Sequence, residues 1–172
     1  MIPLPMSPQV FNDDVLTPAL ALLPAAMDST KARVMLIAIA LQESNLAHRW
    51  QVLQGGGKGP ARGLLQFEQG TAATRGGIWG VFIHPTSRYW LSILCAARGV
   101  RFDPRPIYEA VETDDVLAAG VARLLLFTDQ HKLPELDDVR GAWYLYASRT
   151  WRPGKPKPYS WQANHAAARA AL

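Results

Sequence analysis

The chain has 172 residues, 49% of them hydrophobic and 19% charged, with a net charge of +4 and a single cysteine. That composition describes one globular domain with a substantial core and excludes an intrinsically disordered chain. One cysteine excludes an internal disulfide, the charge is mild for a dedicated nucleic-acid binder, and the longest apolar run, Val34 to Leu41, is too short to cross a bilayer.

In chain order, Met1-Ile2-Pro3-Leu4-Pro5-Met6 has no basic stretch leading into an apolar one. No secretory signal is expected, and the protein is expected to be made in a reducing cytoplasm. A first helix is predicted over 13–23, opened by Asp13 and Asp14 or, in its regular part, by Pro18. A second is predicted over 30–49 with Ser29 or Thr30 as its cap. It is apolar on all sides from Val34 to Leu41, the pattern of a helix that runs through a core. Gln54 to Arg62 is a glycine-rich loop without the Gly-Lys-Ser/Thr ending of a phosphate cradle. Residues 63–68 read as extended, and a small hairpin is predicted near 63–84. Helices follow over 87–98, from Ser87 to Gly99, over 114–128 from Asp114, over 137–150 from Asp137, and over 161–171. Cys95 lies in the first of these and reads as a small buried hydrophobe. Three prolines between Arg152 and Tyr159 preclude a helix there. The prediction is a single, mainly α domain spanning 1–172, with at most a minor β element.

The chemistry concentrates in two carboxylates. Glu43 stands where the apolar helix turns polar, in Gln42-Glu43-Ser44-Asn45. Apolar surroundings and the negative end of the helix dipole both disfavour a charge there, so its pKa is expected to rise. A carboxyl that stays protonated near neutral pH can act as a general acid. The plainer alternative is an exposed carboxylate near a helix end, or one paired with His48 or Arg49. Glu68 follows Gly63-Leu64-Leu65-Gln66-Phe67, in which the apolar residues can anchor the segment and Gln66 offers both a donor and an acceptor. Two carboxylates in contrasting settings suit the cleavage of a glycosidic bond.

Glu43-Ser44, then Gly63-Leu64-Leu65-Gln66, then Gly70-Thr71 resembles the lysozyme-like superfamily, in its soluble lytic transglycosylase and goose-type lysozyme branches. The resemblance covers about 43–71. Leu65 stands where the family has methionine. The resemblance implies a lysozyme-like fold with Glu43 as catalytic acid, Ser44 beside it, and Gln66 on the sugar groove. Glu68 matches a position where goose-type lysozymes carry a carboxylate, which implies a base that activates water; lytic transglycosylases generally lack it. The family's third motif, Ala-Tyr-Asn-Ala-Gly, is matched only by Gly141-Ala142-Trp143-Tyr144-Leu145-Tyr146-Ala147, without the asparagine. Tyr144 and Tyr146 compete for the motif's tyrosine. They lie about 200° apart on a helix, so only one can face a cleft. Tyr146 is favoured because it leads through Trp151 into the proline loop. Trp151 and Arg152 are candidates for stacking on sugars and for meeting carboxylates.

The implied activity is hydrolysis of the β-1,4 bond between N-acetylmuramic acid and N-acetylglucosamine in peptidoglycan. The alternatives are a lytic transglycosylase that leaves 1,6-anhydromuramic ends and, given the missing asparagine, a non-catalytic glycan-binding or phage structural module. A phage or prophage lysin fits, either an endolysin released through a holin or a lysin carried by the virion, acting on the bacterial wall as a monomer. His48, His84, His131 and His165 show no metal-ligand spacing. No metal, cofactor or nucleic-acid partner is expected.

Overall fold

A computed structural model of the chain describes residues 2–172. The chain is mainly helical with one small two-stranded antiparallel sheet, as the patterning predicts. The first helical run starts earlier than predicted, because Ser7 caps it and Pro8 occupies its first turn. It comprises α1 (Pro8–Val10), a π-helical turn (Phe11–Leu16) and α2 (Thr17–Ala21).

Helix α3 (Thr30–Ser44) is the axis of the molecule. The Ser29 hydroxyl caps it, accepting from the Ala32 N–H at 3.2 Å. No residue from Val34 to Ala40 is more than 2% exposed. The missing polar face is explained by neighbours on every side: the Phe11–Leu16 turn, α7 (Asp115–Thr128) and above all α9 (Pro158–Ala170). The helix stops at Ser44 rather than at 49. Asn45 takes a left-handed conformation, φ 52°, and Leu46 follows at φ 53°. Asparagine tolerates that geometry well. Leucine does not, and Leu46 is held in it by complete burial and by the Met6 N–H, which donates to its carbonyl at 3.1 Å.

The hairpin lies ahead of its predicted place. Strands β1 (Trp50–Val52) and β2 (Lys58–Arg62) pair across the glycine-rich loop itself. Lys-Gly-Pro-Ala-Arg carries no strand signature of its own. Contacts from elsewhere support it: Glu112 pairs with Lys58 at 2.6 Å and with Arg62 at 2.9 Å. Residues 63–84 instead form a tight turn closed by the Arg62–Phe67 bridge, then a loop, then α4 (Gly77–Ile83).

Helix α5 (Pro85–Arg98) starts at Pro85 after a His84 cap, and Gly99 ends it at φ 68° as predicted. Ser87 is not the cap; it is buried, and its hydroxyl donates to the Val81 carbonyl at 2.7 Å. Helix α6 (Pro104–Ala110), behind an Asp103 cap, is an addition to the predicted elements. Asp114 caps α7 as expected. Asp138, not Asp137, caps α8 (Val139–Tyr144), which runs into a second π-helical turn (Leu145–Thr150). Helix α9 starts at Pro158, so the last proline of the loop opens it. Cys95 is 1% exposed, and burial pushes its thiol up to about 11. Among the described residues no helix is long and apolar enough to cross a membrane.

Candidate active site

The last turn of α3 carries Glu43 out of the core into a groove of about 1390 Å³. The Tyr146 hydroxyl donates to Glu43 Oε1 at 2.8 Å. Burial pushes the Glu43 carboxyl up to about 7, against the opposing pull of the Tyr146 hydrogen bond and the Lys157 charge; the Glu68 charge adds to the rise. A carboxyl with that pKa is substantially protonated at neutral pH. Tyr146 occupies one of its oxygens, which leaves Oε2 to deliver a proton. Glu43 does not pair with Arg49, whose Nε and Nη2 grip the buried Asp115 at 2.8 and 2.6 Å. His48 sits exposed on the groove.

Ser44 supports this arrangement from beneath. It is 7% exposed, and its hydroxyl donates to the Leu64 carbonyl at 2.7 Å and accepts from the Leu46 N–H at 3.2 Å. Those bonds are internal. Ser44 therefore staples the 63–66 turn to the end of α3, and it also lines the groove.

The turn explains the Gly-Leu-Leu-Gln spacing. Gly63 has φ 74°, and a Cβ there would lie 2.5 Å from the Val111 carbonyl oxygen. Only glycine meets both conditions. Leu64, Leu65 and Phe67 are each no more than 2% exposed, so they anchor the turn. Gln66 lines the groove at φ 53°, a conformation unusual for a non-glycine residue, and its Nε2 donates to the Gly63 carbonyl at 2.8 Å. Glu68 also lines the groove and is exposed. Glu43 and Glu68 thus share one groove in opposite settings, one partly buried and one in solvent.

The wall facing Glu43 is built by the second π-helical turn. Residues five apart lie about 140° apart on an α-helix. In this turn the Trp151 N–H donates to the Tyr146 carbonyl at 3.0 Å, and both side chains line the groove. The Tyr146 ring stacks on Trp161 at 5.0 Å and 6° and packs against Trp143 at 5.5 Å. Trp151 packs on Phe67 at 5.7 Å and donates its indole N–H to the Leu65 carbonyl at 3.0 Å. Tyr144 does not reach the groove: it is 56% exposed, and the Arg149 guanidinium lies over its ring. The choice between the two tyrosines is therefore settled by geometry in favour of Tyr146. Arg152, at φ 48°, lines the groove beside Trp151.

Two contributors were missed from the sequence. Gln42 bridges α3 to the start of α9: its Nε2 donates to the Lys157 carbonyl at 3.0 Å, and its Oε1 accepts from Ser160 and Asn164 at 3.0 and 2.8 Å. Lys157 is thereby held where its charge reaches Glu43. The one available signal was that Gln42 is the first polar residue after the apolar run. Among the described residues no three His, Cys, Asp or Glu side chains converge as a metal site would require. No protein-family model, curated protein or solved structure matches the chain.

Proposed function

We propose that the chain is a peptidoglycan-cleaving muramidase in which Glu43 is the general acid. The observation that carries this reading is the Glu43 carboxyl itself, raised to about 7 by burial, held by Tyr146, and opening onto a large groove that also holds Glu68. The groove exceeds the 300–1,000 Å³ usual for single small ligands, which suits a polymer. Glu43 protonates the leaving glycosidic oxygen. Exposed Glu68 takes a proton from a water that attacks the sugar from the other face, the division of labour of an inverting glycosidase. Gln66, Trp151 and Arg152 line the path of the glycan.

The test is digestion of purified peptidoglycan with mass spectrometry of the soluble products. Wild type is expected to release fragments with reducing N-acetylmuramic ends. Glu43→Gln is expected to lose about 10²–10⁴-fold in rate, the usual contribution of a positioned acid. Anhydro ends that persist in Glu68→Ala would instead assign a lytic transglycosylase, which needs one glutamate only. Binding to the wall without any soluble product from wild type would assign a glycan-binding module.

A further inference from the structure

Beside the groove lies a second, smaller pocket of about 290 Å³, which shares Gly76, Gly77, Leu125, Thr150 and Arg152 with it. Its charged lining consists of Arg75, Arg149 and Arg152, and no Asp or Glu is among its lining residues. Arg149 is neutralised from behind by Asp129, Nε to Oδ2 at 3.0 Å, and Asp129 also holds His131. The ion pairs among the described residues include neither Arg75 nor Arg152. The pocket therefore carries uncompensated positive charge.

The two unpaired arginines share a second property. Arg75 has φ 51° and Arg152 has φ 48°. Left-handed backbone at a non-glycine residue persists only where the surroundings over-determine it, and it gathers at ligand clamps. Both residues are pinned here. The Arg75 N–H donates to the Thr71 carbonyl at 3.0 Å, and the Arg75 carbonyl lies so close to Gly80 that a Cβ there would be 2.5 Å away. The Arg152 N–H donates to the Tyr146 carbonyl at 3.2 Å, within the turn that positions Trp151. Two planar guanidinium groups of exposed residues on pre-set backbone, with Arg149 lining the same pocket, suit bidentate recognition of an oxyanion.

We propose that this side pocket is an anion subsite that takes a carboxylate or phosphate carried on a branch of the polymer lying in the groove. Its small volume admits a branch and not a second strand. The branch belongs to a wall glycan only insofar as the proposed muramidase function holds; the anion site itself rests on the arginines. A peptide substituent would supply carboxylates, and a phosphate-bearing wall polymer would supply phosphate.

The experiment is a titration of the full-length chain with inorganic phosphate and, separately, with succinate, followed by NMR at the arginine Nε–Hε resonances. Saturable shifts are expected at Arg75, Arg149 and Arg152, with a dissociation constant of about millimolar or tighter, and their loss is expected in Arg75→Gln. A response to phosphate alone assigns the phosphate source, and a response to succinate alone assigns the carboxylate source. The absence of saturable shifts with both anions, or shifts of equal size at the remote and exposed Arg105, would overturn the subsite. These outcomes are independent of catalysis. Peptidoglycan cleavage without anion shifts removes the subsite and leaves the muramidase, whereas anion shifts in a protein that cleaves nothing do the reverse.

Discussion

At the residue scale, the fold makes ionisation of Glu43 costly, and this fits it to the general-acid role proposed for it. Tyr146 donates a hydrogen bond that favours the charged form, and it thereby restrains a rise that burial drives. Removing it in Tyr146→Phe is expected to move the basic limb of the rate–pH profile above its wild-type position near 7, with a lower plateau from the loss of positioning; an unmoved limb would show that the hydroxyl does not govern Glu43. The same shift makes a statement about stability. The Glu43 pKa rises on folding from 4.5 to about 7. Between those values the unfolded chain has released a proton that the folded protein keeps, so stability falls as pH rises through that window and then levels off. An amide in place of this carboxyl has nothing to ionise. Glu43→Gln is therefore expected to match wild type in stability at pH 4 and to exceed it at pH 8 by up to about 3 kcal/mol. Urea unfolding at the two pH values measures this directly.

At the scale of elements, much of the chain was legible and some of it was not. Ser29, Asp114 and Gly99 mark their helix ends because capping is local chemistry, readable from a few residues. The hairpin lies earlier than its local pattern suggests, and both ends of β2 are held by Glu112, which is distant in sequence. The π-helical turns have no sequence signature to read, yet one of them brings Tyr146 and Trp151 onto one wall. The 63–66 turn is the element most exposed to a single change. Gly63→Ala would force a Cβ onto the Val111 carbonyl and a left-handed conformation onto alanine. It is expected to destabilise the protein by about 1–3 kcal/mol, and to depress activity beyond the loss of folded protein, because Ser44 and Gln66 both bond to this turn. Specific activity corrected for the folded fraction by circular dichroism separates the two effects.

At the scale of the molecule, the groove exists because distant segments are tied together beneath it. Arg49, just past α3, forks onto Asp115 at the start of α7, and both are buried. The Arg49 carbonyl accepts from the Gly63 N–H at 2.7 Å, and Arg49 Nη2 donates to the Ile2 carbonyl at 2.7 Å. One residue therefore joins the N-terminal segment, the 63–66 turn and α7. Asp115→Ala leaves a buried guanidinium without its partner and is expected to cost about 3–5 kcal/mol. Asp115→Ala with Arg49→Met, which removes both charges, is expected to recover much of that loss, and equal destabilisation of the two variants would show that the pair is not what matters.

The sequence by itself determined the mainly α class, the all-round burial of α3 and the identity of Glu43 as the residue with a reason to stay protonated. Each of these follows from local pattern: a run of apolar residues without a polar face, and a carboxylate at its end. Tertiary structure alone decided which tyrosine meets Glu43, that Ser44 is a staple, and that Arg75 borders the same side pocket as the distant Arg149 and Arg152. Those outcomes depend on register, on a π turn and on left-handed backbone. Such features are held by contacts between segments that only the folded chain brings together.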